Sequence, residues 1–229
     1  MMKVLRIWDL PTRMFHWVLV GSVVGLVITG NLGGPWMIWH SRLGTLVISL
    51  VLFRLIWGVM GGYWSRFVQF PLRPTHVWAY IRGRSSTVRY LGHPPTGAWS
   101  VVAILVLLSL QAGSGLFSSD DIFFQGPLSG WVSSEAVEAF SEFHRGPGKL
   151  LILAWVLLHV LAILWYARVK RERLLPAMVH GDKHVEHEAV ASQDSALWRV
   201  IALLLWLFIL TLVFWGLLTL ESMRSASAF

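Results

Sequence analysis

The sequence predicts an all-α integral membrane protein with five transmembrane helices. Hydrophobic residues make up 55% of its 229 residues and charged residues only 14%, and the mean hydropathy is +0.62. Soluble proteins carry about 25% charged residues, so the shortage of charge assigns the chain to the membrane class. Fourteen tryptophans agree with this assignment, because tryptophan gathers where membrane and water meet.

Five segments are long and apolar enough to cross a bilayer, which needs about 20 residues per helix. The first segment follows Pro11, a residue suited to the start of a helix. The second contains a single internal charge, Arg54, and the fifth contains none between Arg199 and Glu221. The predicted spans are residues 14–30, 37–60, 97–117, 147–167 and 197–220.

The charges of the connecting loops predict the orientation of the chain. Residues 61–96 carry five arginines and no acid, whereas residues 118–143 carry five acids and no base. Positive loops stay in the cytoplasm. In a bacterial inner membrane, the N-terminus is therefore cytoplasmic, and the acidic loop and the C-terminus are periplasmic. The net charge of +7 is explained by this topology, so no nucleic acid partner is expected.

The segments outside the spans divide the chain further. Residues 74–90 mix apolar residues with arginines, which predicts an amphipathic helix on the cytoplasmic surface, in contact with membrane lipid. Residues 1–180 are expected to form one membrane domain. A polar linker over 181–196 then leads to the fifth helix at 197–220.

Histidines carry the chemistry to which the sequence points. The chain has no cysteine, which excludes disulfides and thiolate-ligated metal centres. Ionisable groups inside a membrane are costly and mark function by default, although a histidine near a span boundary can also simply anchor a helix end. His159, within an apolar run, does not fit that alternative. The four histidines in or beside the spans are His16, His40, His144 and His159.

The predicted topology sorts these histidines into two pairs by depth. His16 and His159 lie toward the cytoplasm, and His40 and His144 toward the periplasm. Two facing imidazoles in an apolar helix bundle form a bis-histidine haem site, so two levels predict two b-type haems. The spacing of fifteen residues between His144 and His159 corresponds to about 22 Å along a helix. A Gly-Pro-Gly sequence at 146–148 weakens the prediction for His144, because proline interrupts helices.

Cationic residues near these levels are candidate partners for the anionic haem propionates. Arg54 lies fourteen residues after His40, on nearly the same helix face. It could pair with a propionate, line a quinone site or reach toward lipid headgroups. His76 and His93 could contact a quinone or a propionate, with a structural role as the alternative. The other propionate candidates, for which simple interfacial anchoring is the alternative, are Arg13, Arg42, Arg145 and Lys149.

Five stretches of the chain form a set of motifs. They are RIWDLPTRMFHW at 6–17, FRLIWG at 53–58, RYLGHP at 89–94, GLF at 115–117 followed by two aspartates, and LHVLA at 158–162. Together they resemble the prokaryotic cytochrome b561 family, which includes the b-type cytochrome subunits of nickel–iron hydrogenases. The resemblance extends over about residues 4–180.

The resemblance implies a four-helix core that holds two b haems with histidine ligands from helices one, two and four. It also implies electron transfer between the quinone pool and a periplasmic hydrogenase or c-type cytochrome. The fifth helix is similar to a longer subgroup associated with c-type cytochromes. One alternative is a self-contained b561 enzyme that oxidises superoxide or quinol. A second alternative is a non-redox transporter or assembly factor with structural histidines.

Overall fold

A computed structural model describes residues 3–84, 90–120, 124–185 and 188–227, with side chains as far as Met223. Almost all of the regular structure is helical. The helices are α1 (Leu10–Leu32), α2 (Met37–Met60), α3 (Pro74–Ile81), α4 (Pro95–Phe117), α5 (Ser134–Phe143), α6 (Lys149–Arg168), α7 (Leu174–His180) and α8 (Ala196–Ser227), and the strands are β1 (Lys3–Arg6) and β2 (Asp182–Val185).

Within the described residues, five helical runs are long and apolar enough to cross a membrane. This confirms the predicted all-α membrane fold. The observed helices extend beyond the predicted spans, because polar residues in the outer turns continue a helix without belonging to its apolar run. The five runs are Leu10–Leu32, Gly34–Met60, Pro95–Phe117, Ser134–Arg168 and Ala196–Met223.

The fourth run differs most from the prediction, because it begins well before the proline. α5 continues through a π-helical turn, His144–Gly148, directly into α6. Pro147 has no N–H to donate, and the wider π turn accommodates it without ending the helix. His144 therefore lies inside a helix, and the Gly-Pro-Gly sequence does not separate it from the span.

The chain divides into two compact units, each of which draws on several helices. The N-terminal residues belong to the first unit, and the 118–143 loop belongs to the second. The first unit comprises Met1–His16, Arg54–Ile104 and Val156–Leu204, and the second comprises Trp17–Phe53, Leu105–Trp155 and Leu205–Phe229.

A small sheet in the first unit occupies part of the stretch predicted as a polar linker. β2 pairs antiparallel with β1, so that Lys3 lies opposite Val185 and Arg6 opposite Asp182. Arg6 also forms ion pairs with Asp182 at 2.9 Å and with Asp194 at 3.2 Å. The polar segment is therefore tied to the N-terminus. The sequence hides this strand, because the four residues of β2 lack an apolar alternation.

The predicted amphipathic segment is shorter in the structure. α3 covers its first half, and Trp78 and Ile81 on this helix are exposed. The hydroxyls of Tyr80 and Tyr166 lie 2.5 Å apart, which attaches α3 to the end of α6. Arg89 of the predicted segment and Asp121 of the acidic loop lie outside the described residues.

A buried carboxylate organises the start of α1 in the first unit. The side chain of Asp9 is fully buried. It accepts hydrogen bonds from the backbone N–H groups of Thr12 at 2.7 Å and Gly62 at 3.1 Å. It also accepts from Trp57 Nε1 at 3.2 Å and from Ser65 Oγ at 2.6 Å. The bond to Thr12 caps α1, and the other three fix the end of α2 and the turn that follows it.

Candidate functional site

The four histidines of the spans form two pairs, and each pair lies within one unit. In the first unit, the rings of His16 and His159 have centroids 6.3 Å apart, with 55° between their planes. In the second unit, the rings of His40 and His144 have centroids 6.0 Å apart, with 85° between their planes. These are the pairs expected from the sequence. Their role as iron ligands remains a prediction.

Both separations fit an iron between the two rings. A metal–imidazole bond is about 2 Å long, and a ring nitrogen lies about 1 Å from its ring centre, so two imidazoles on opposite sides of one metal have centroids about 6 Å apart. Two facing imidazoles at these separations are a donor set that fits a bis-histidine haem. Within the described ranges, no group of three or more His, Asp or Glu side chains is arranged to hold a metal ion.

His40 is held in a defined orientation by α1. Its Nδ1 lies 3.1 Å from the carbonyl oxygen of Leu26 and 3.3 Å from the hydroxyl of Thr29. A ring nitrogen that donates to a carbonyl carries the proton, which leaves the other nitrogen free to bind a metal. Gly30 makes room for the ring, because a Cβ at this position would lie 2.9 Å from His40 Cε1.

His144 is held by α4 in the same way. Its Nδ1 lies 2.8 Å from the carbonyl oxygen of Gln111 and 3.4 Å from the hydroxyl of Ser114. Gln111 Nε2 in turn donates to the carbonyl of His144 at 2.9 Å. A Cβ at Gly115 would lie 2.7 Å from His144 Cε1. The Nε2 of His144 is thereby available to a metal, as it is in His40.

The two supports share one pattern that the sequence analysis missed. In each helix a carbonyl is followed after three residues by a hydroxyl and after four by a glycine, which places all three on one face. The signal in the sequence is a hydroxyl residue directly before a glycine, eleven residues before the supported histidine in one case and thirty residues before it in the other. The two sets are Leu26, Thr29 and Gly30 in α1, and Gln111, Ser114 and Gly115 in α4.

Replacing Gly115 by alanine is expected to remove the haem of the second unit. The added methyl group would meet the His144 ring at 2.7 Å, so the imidazole must leave its position. Pyridine haemochrome analysis should give about one haem per chain instead of two. Gly113→Ala is the matched control on the same helix, because a Cβ there meets no atom within 4 Å. Equal haem content in both variants would contradict this role for Gly115.

Two further polar groups stand out in the first unit. Arg54 is buried, donates from Nη2 to the Ser65 carbonyl at 3.0 Å and lies 4.7 Å above the Phe67 ring. Its Nη1 is buried and has no hydrogen-bond partner among the described residues. A buried guanidinium N–H without a partner is costly, which indicates an acceptor other than the residues that the structure describes.

His93 is the second of these groups. Its ring packs between those of Trp8, at 4.6 Å, and Phe70, at 4.8 Å. Its Nδ1 is buried and, in the part of the chain that the structure describes, makes no hydrogen bond. Burial and the charge of Arg54 together lower the pKa of His93 to about 3. His93 is therefore neutral at physiological pH and can donate one N–H.

The other predicted cations differ in their surroundings. Arg13 donates to the carbonyl of Val179 at 2.5 Å, and exposed Arg145 donates to the carbonyl of Ser141 at 3.4 Å. Lys149 is half-buried in the first turn of α6.

Arg42 does not share a helix face with its neighbouring histidine. It lies 5.0 Å above the Trp39 ring and follows His40 by two residues, which is about 200° around a helix. The structure thus directs Arg42 away from the His40 ring.

Comparison with known proteins agrees with this architecture. The chain is 21% identical over 211 residues to a probable Ni/Fe-hydrogenase B-type cytochrome subunit of Bradyrhizobium diazoefficiens, covering 77% of this chain and 85% of the relative. It is 23% identical over 215 residues to a protein of the same description in Cupriavidus necator, covering 78% and 86%. A third such protein, in Azotobacter vinelandii, is 24% identical over 216 residues, covering 76% and 86%.

No solved structure matches the chain significantly. The sequence profile of the prokaryotic cytochrome b561 family matches residues 7–181. This range contains both histidine pairs and ends before α8. Because the match covers most of the chain, the protein belongs to the prokaryotic cytochrome b561 family.

Proposed function

We propose that the protein transfers electrons across a bacterial inner membrane through two b-type haems, between the quinone pool and a periplasmic redox protein. The two imidazole pairs, at 6.3 and 6.0 Å, carry this proposal. When bound, each haem supplies a one-electron iron couple.

The histidines are the axial ligands in this proposal. His16 and His159 hold one haem, and His40 and His144 hold the other. The carbonyls of Leu26 and Gln111 keep the ligand rings of the second unit in place, which fixes the tautomer and raises ligand basicity. His159 is exposed in the structure, so other side chains do not cover its ring and a haem could contact it.

The cations divide between the two haems by unit. In the first unit, Arg54 is the strongest propionate partner, because its Nη1 is buried and lacks an acceptor among the described residues. Arg13 is the second. In the second unit, Arg145 and Lys149 are the candidates beside His144. Arg42 is left out, because it points away from His40.

His93 is proposed to hydrogen-bond a quinone carbonyl. Its buried Nδ1 needs a partner, and a neutral imidazole can donate to a neutral quinone oxygen. The aromatic rings of Trp8 and Phe70 on either side form the kind of apolar wall that lines small-molecule sites. His93 and the pair of His16 and His159 belong to the same unit, which supports a position near the haem of the first unit.

The arginine-rich loops determine on which side of the membrane each reaction is proposed to occur. If they are cytoplasmic, the quinone reacts near the cytoplasmic face and the partner docks on the periplasmic side. The acidic loop would attract a basic partner surface. The relatives are described as hydrogenase subunits, which makes a nickel–iron hydrogenase the first partner to test. A c-type cytochrome is the second, since α8 lies outside the family match.

Replacing His93 by leucine is expected to slow reduction of the haems by quinol at least tenfold, because loss of a hydrogen bond to a bound substrate costs about one order of magnitude or more. Reduction by dithionite, which needs no quinone site, should still reach two haems per chain. Stopped-flow absorbance in the Soret region measures both rates.

His180→Ala is the control for that experiment, because this side chain is exposed. Quinol reduction at the native rate in His93→Leu would disprove the quinone contact without touching the haem proposal. Rapid superoxide turnover by the isolated protein would instead favour the self-contained enzyme.

A further inference from the structure

A groove in the second unit lies apart from the histidine pair. Its volume is about 450 Å³, and the neighbouring helices α2 and α8 contribute most of its walls. The α2 residues that line it, Ser41, Arg42 and Thr45, lie about 100–200° around the helix from His40. The groove is therefore on a different face of α2 from the haem ligand.

The mouth of the groove carries one cation and one anion. Arg42 lies near the start of α2, and Glu221 near the end of the span formed by α8. Among the described residues, no ion pair joins these two side chains or engages either with another partner. Glu221 lies two residues before the end of its span, where lipid headgroups lie. Arg42 lies eight residues inside the run Gly34–Met60, and its long side chain can extend toward the headgroups.

The wall that α8 contributes to the groove is mainly apolar, whereas the other walls include the polar side chains of Ser41, Thr45 and Gln125. Leu210, Phe214 and Leu217 precede Glu221 at helical spacing, so they form a continuous stripe. From Glu221 to Leu210 this stripe is about 16 Å long, which is close to half of the roughly 30 Å hydrocarbon core. The groove thus has the depth of one leaflet, with charges only at the headgroup end.

We propose that this groove binds one zwitterionic phospholipid of the phosphatidylethanolamine type. The guanidinium of Arg42 donates to the lipid phosphate, the carboxylate of Glu221 accepts from the ammonium, and one acyl chain lies along the α8 stripe. A volume of about 450 Å³ is within the range of sites for a single small amphiphile. This site does not depend on haem binding or on electron transfer.

Native mass spectrometry of the full protein, exchanged into dioleoyl phosphatidylethanolamine, phosphatidylcholine or phosphatidylglycerol, tests the proposal. We expect one tightly held phosphatidylethanolamine and weaker retention of the other two lipids. Phosphatidylcholine lacks ammonium N–H donors and phosphatidylglycerol lacks a cation. In Glu221→Gln, phosphatidylethanolamine should bind about tenfold more weakly, as expected when one charge-assisted hydrogen bond is lost.

Glu138→Gln is the matched control, because Glu138 is exposed and does not line the groove. Leu217→Trp should fill the groove and release the lipid while the haem spectrum stays native. Equal retention of the three lipids, or equal binding in the two glutamine variants, would overturn the proposal. Displacement of the lipid by a quinone analogue would also overturn it and assign the groove to quinone.

Discussion

Replacing His159 by alanine is expected to leave about one haem per chain instead of two. The ring of His159 faces that of His16 at 6.3 Å, and methyl groups cannot bind iron, so the first-unit haem loses one of its two axial ligands. His40→Ala should remove the other haem for the same reason. The double variant should bind none. Pyridine haemochrome quantitation on the purified protein measures all three.

His180→Ala provides the control, since it removes an exposed histidine outside the spans and should keep both haems. Two haems in His159→Ala would disprove the proposed ligand pairs. A native protein without any haem would remove the electron-transfer proposal altogether and favour a transporter or an assembly factor.

Replacing Asp9 by alanine is expected to lower the free energy of unfolding by roughly 3–5 kcal/mol, the usual effect of removing one partner from a buried charged network. Four hydrogen-bond donors then lose their acceptor, and the buried cation of Arg54 loses the nearby negative charge. Denaturant titration in detergent, followed by tryptophan fluorescence, gives the change.

Asp9→Asn should fall between the native protein and Asp9→Ala, because an amide keeps one acceptor oxygen but loses the charge. Glu188→Ala is the control, since Glu188 pairs with Lys3 on the surface and exposed pairs contribute little. If Asp9→Ala and Glu188→Ala were equally stable, the Asp9 network would not hold α1 and α2 together.

The sequence is sufficient to predict the membrane fold, because a long apolar run with polar ends forms a transmembrane helix in nearly every case. It is also sufficient to single out the four histidines, since ionisable residues are rare in such runs. It places the start of the fourth helix too late, because the predicted span begins at Pro147, whereas in the structure this proline lies inside a π turn. Whether a proline begins a helix or lies within a π turn depends on how the surrounding helices pack against the backbone, and a local sequence pattern does not contain this information.

The residues that position His40 and His144 could not be predicted from the sequence for a different reason. Gly30 and Gly115 are two of 20 glycines. Each follows a hydroxyl residue, but only contacts between helices show which histidine the pair supports. The sheet of β1 and β2 joins segments about 180 residues apart, and its short polar strands resemble a loop. The hydrogen-bond partners of Asp9 outside α1, such as Trp57, are distant from it in the sequence.

The pairing of β1 with β2 has a consequence for biosynthesis. The partners of Lys3 to Arg6, which are Asp182 to Val185, are translated only after the four spans that lie between the two strands. Ser192 completes the connection, since its backbone N–H donates to the Arg6 carbonyl at 2.7 Å and its hydroxyl to the Ile7 carbonyl at 2.6 Å. The segment that forms β1 therefore stays unpaired until residue 192 has been translated, and a fragment that stops at residue 181, the end of the family match, would lack the partner strand.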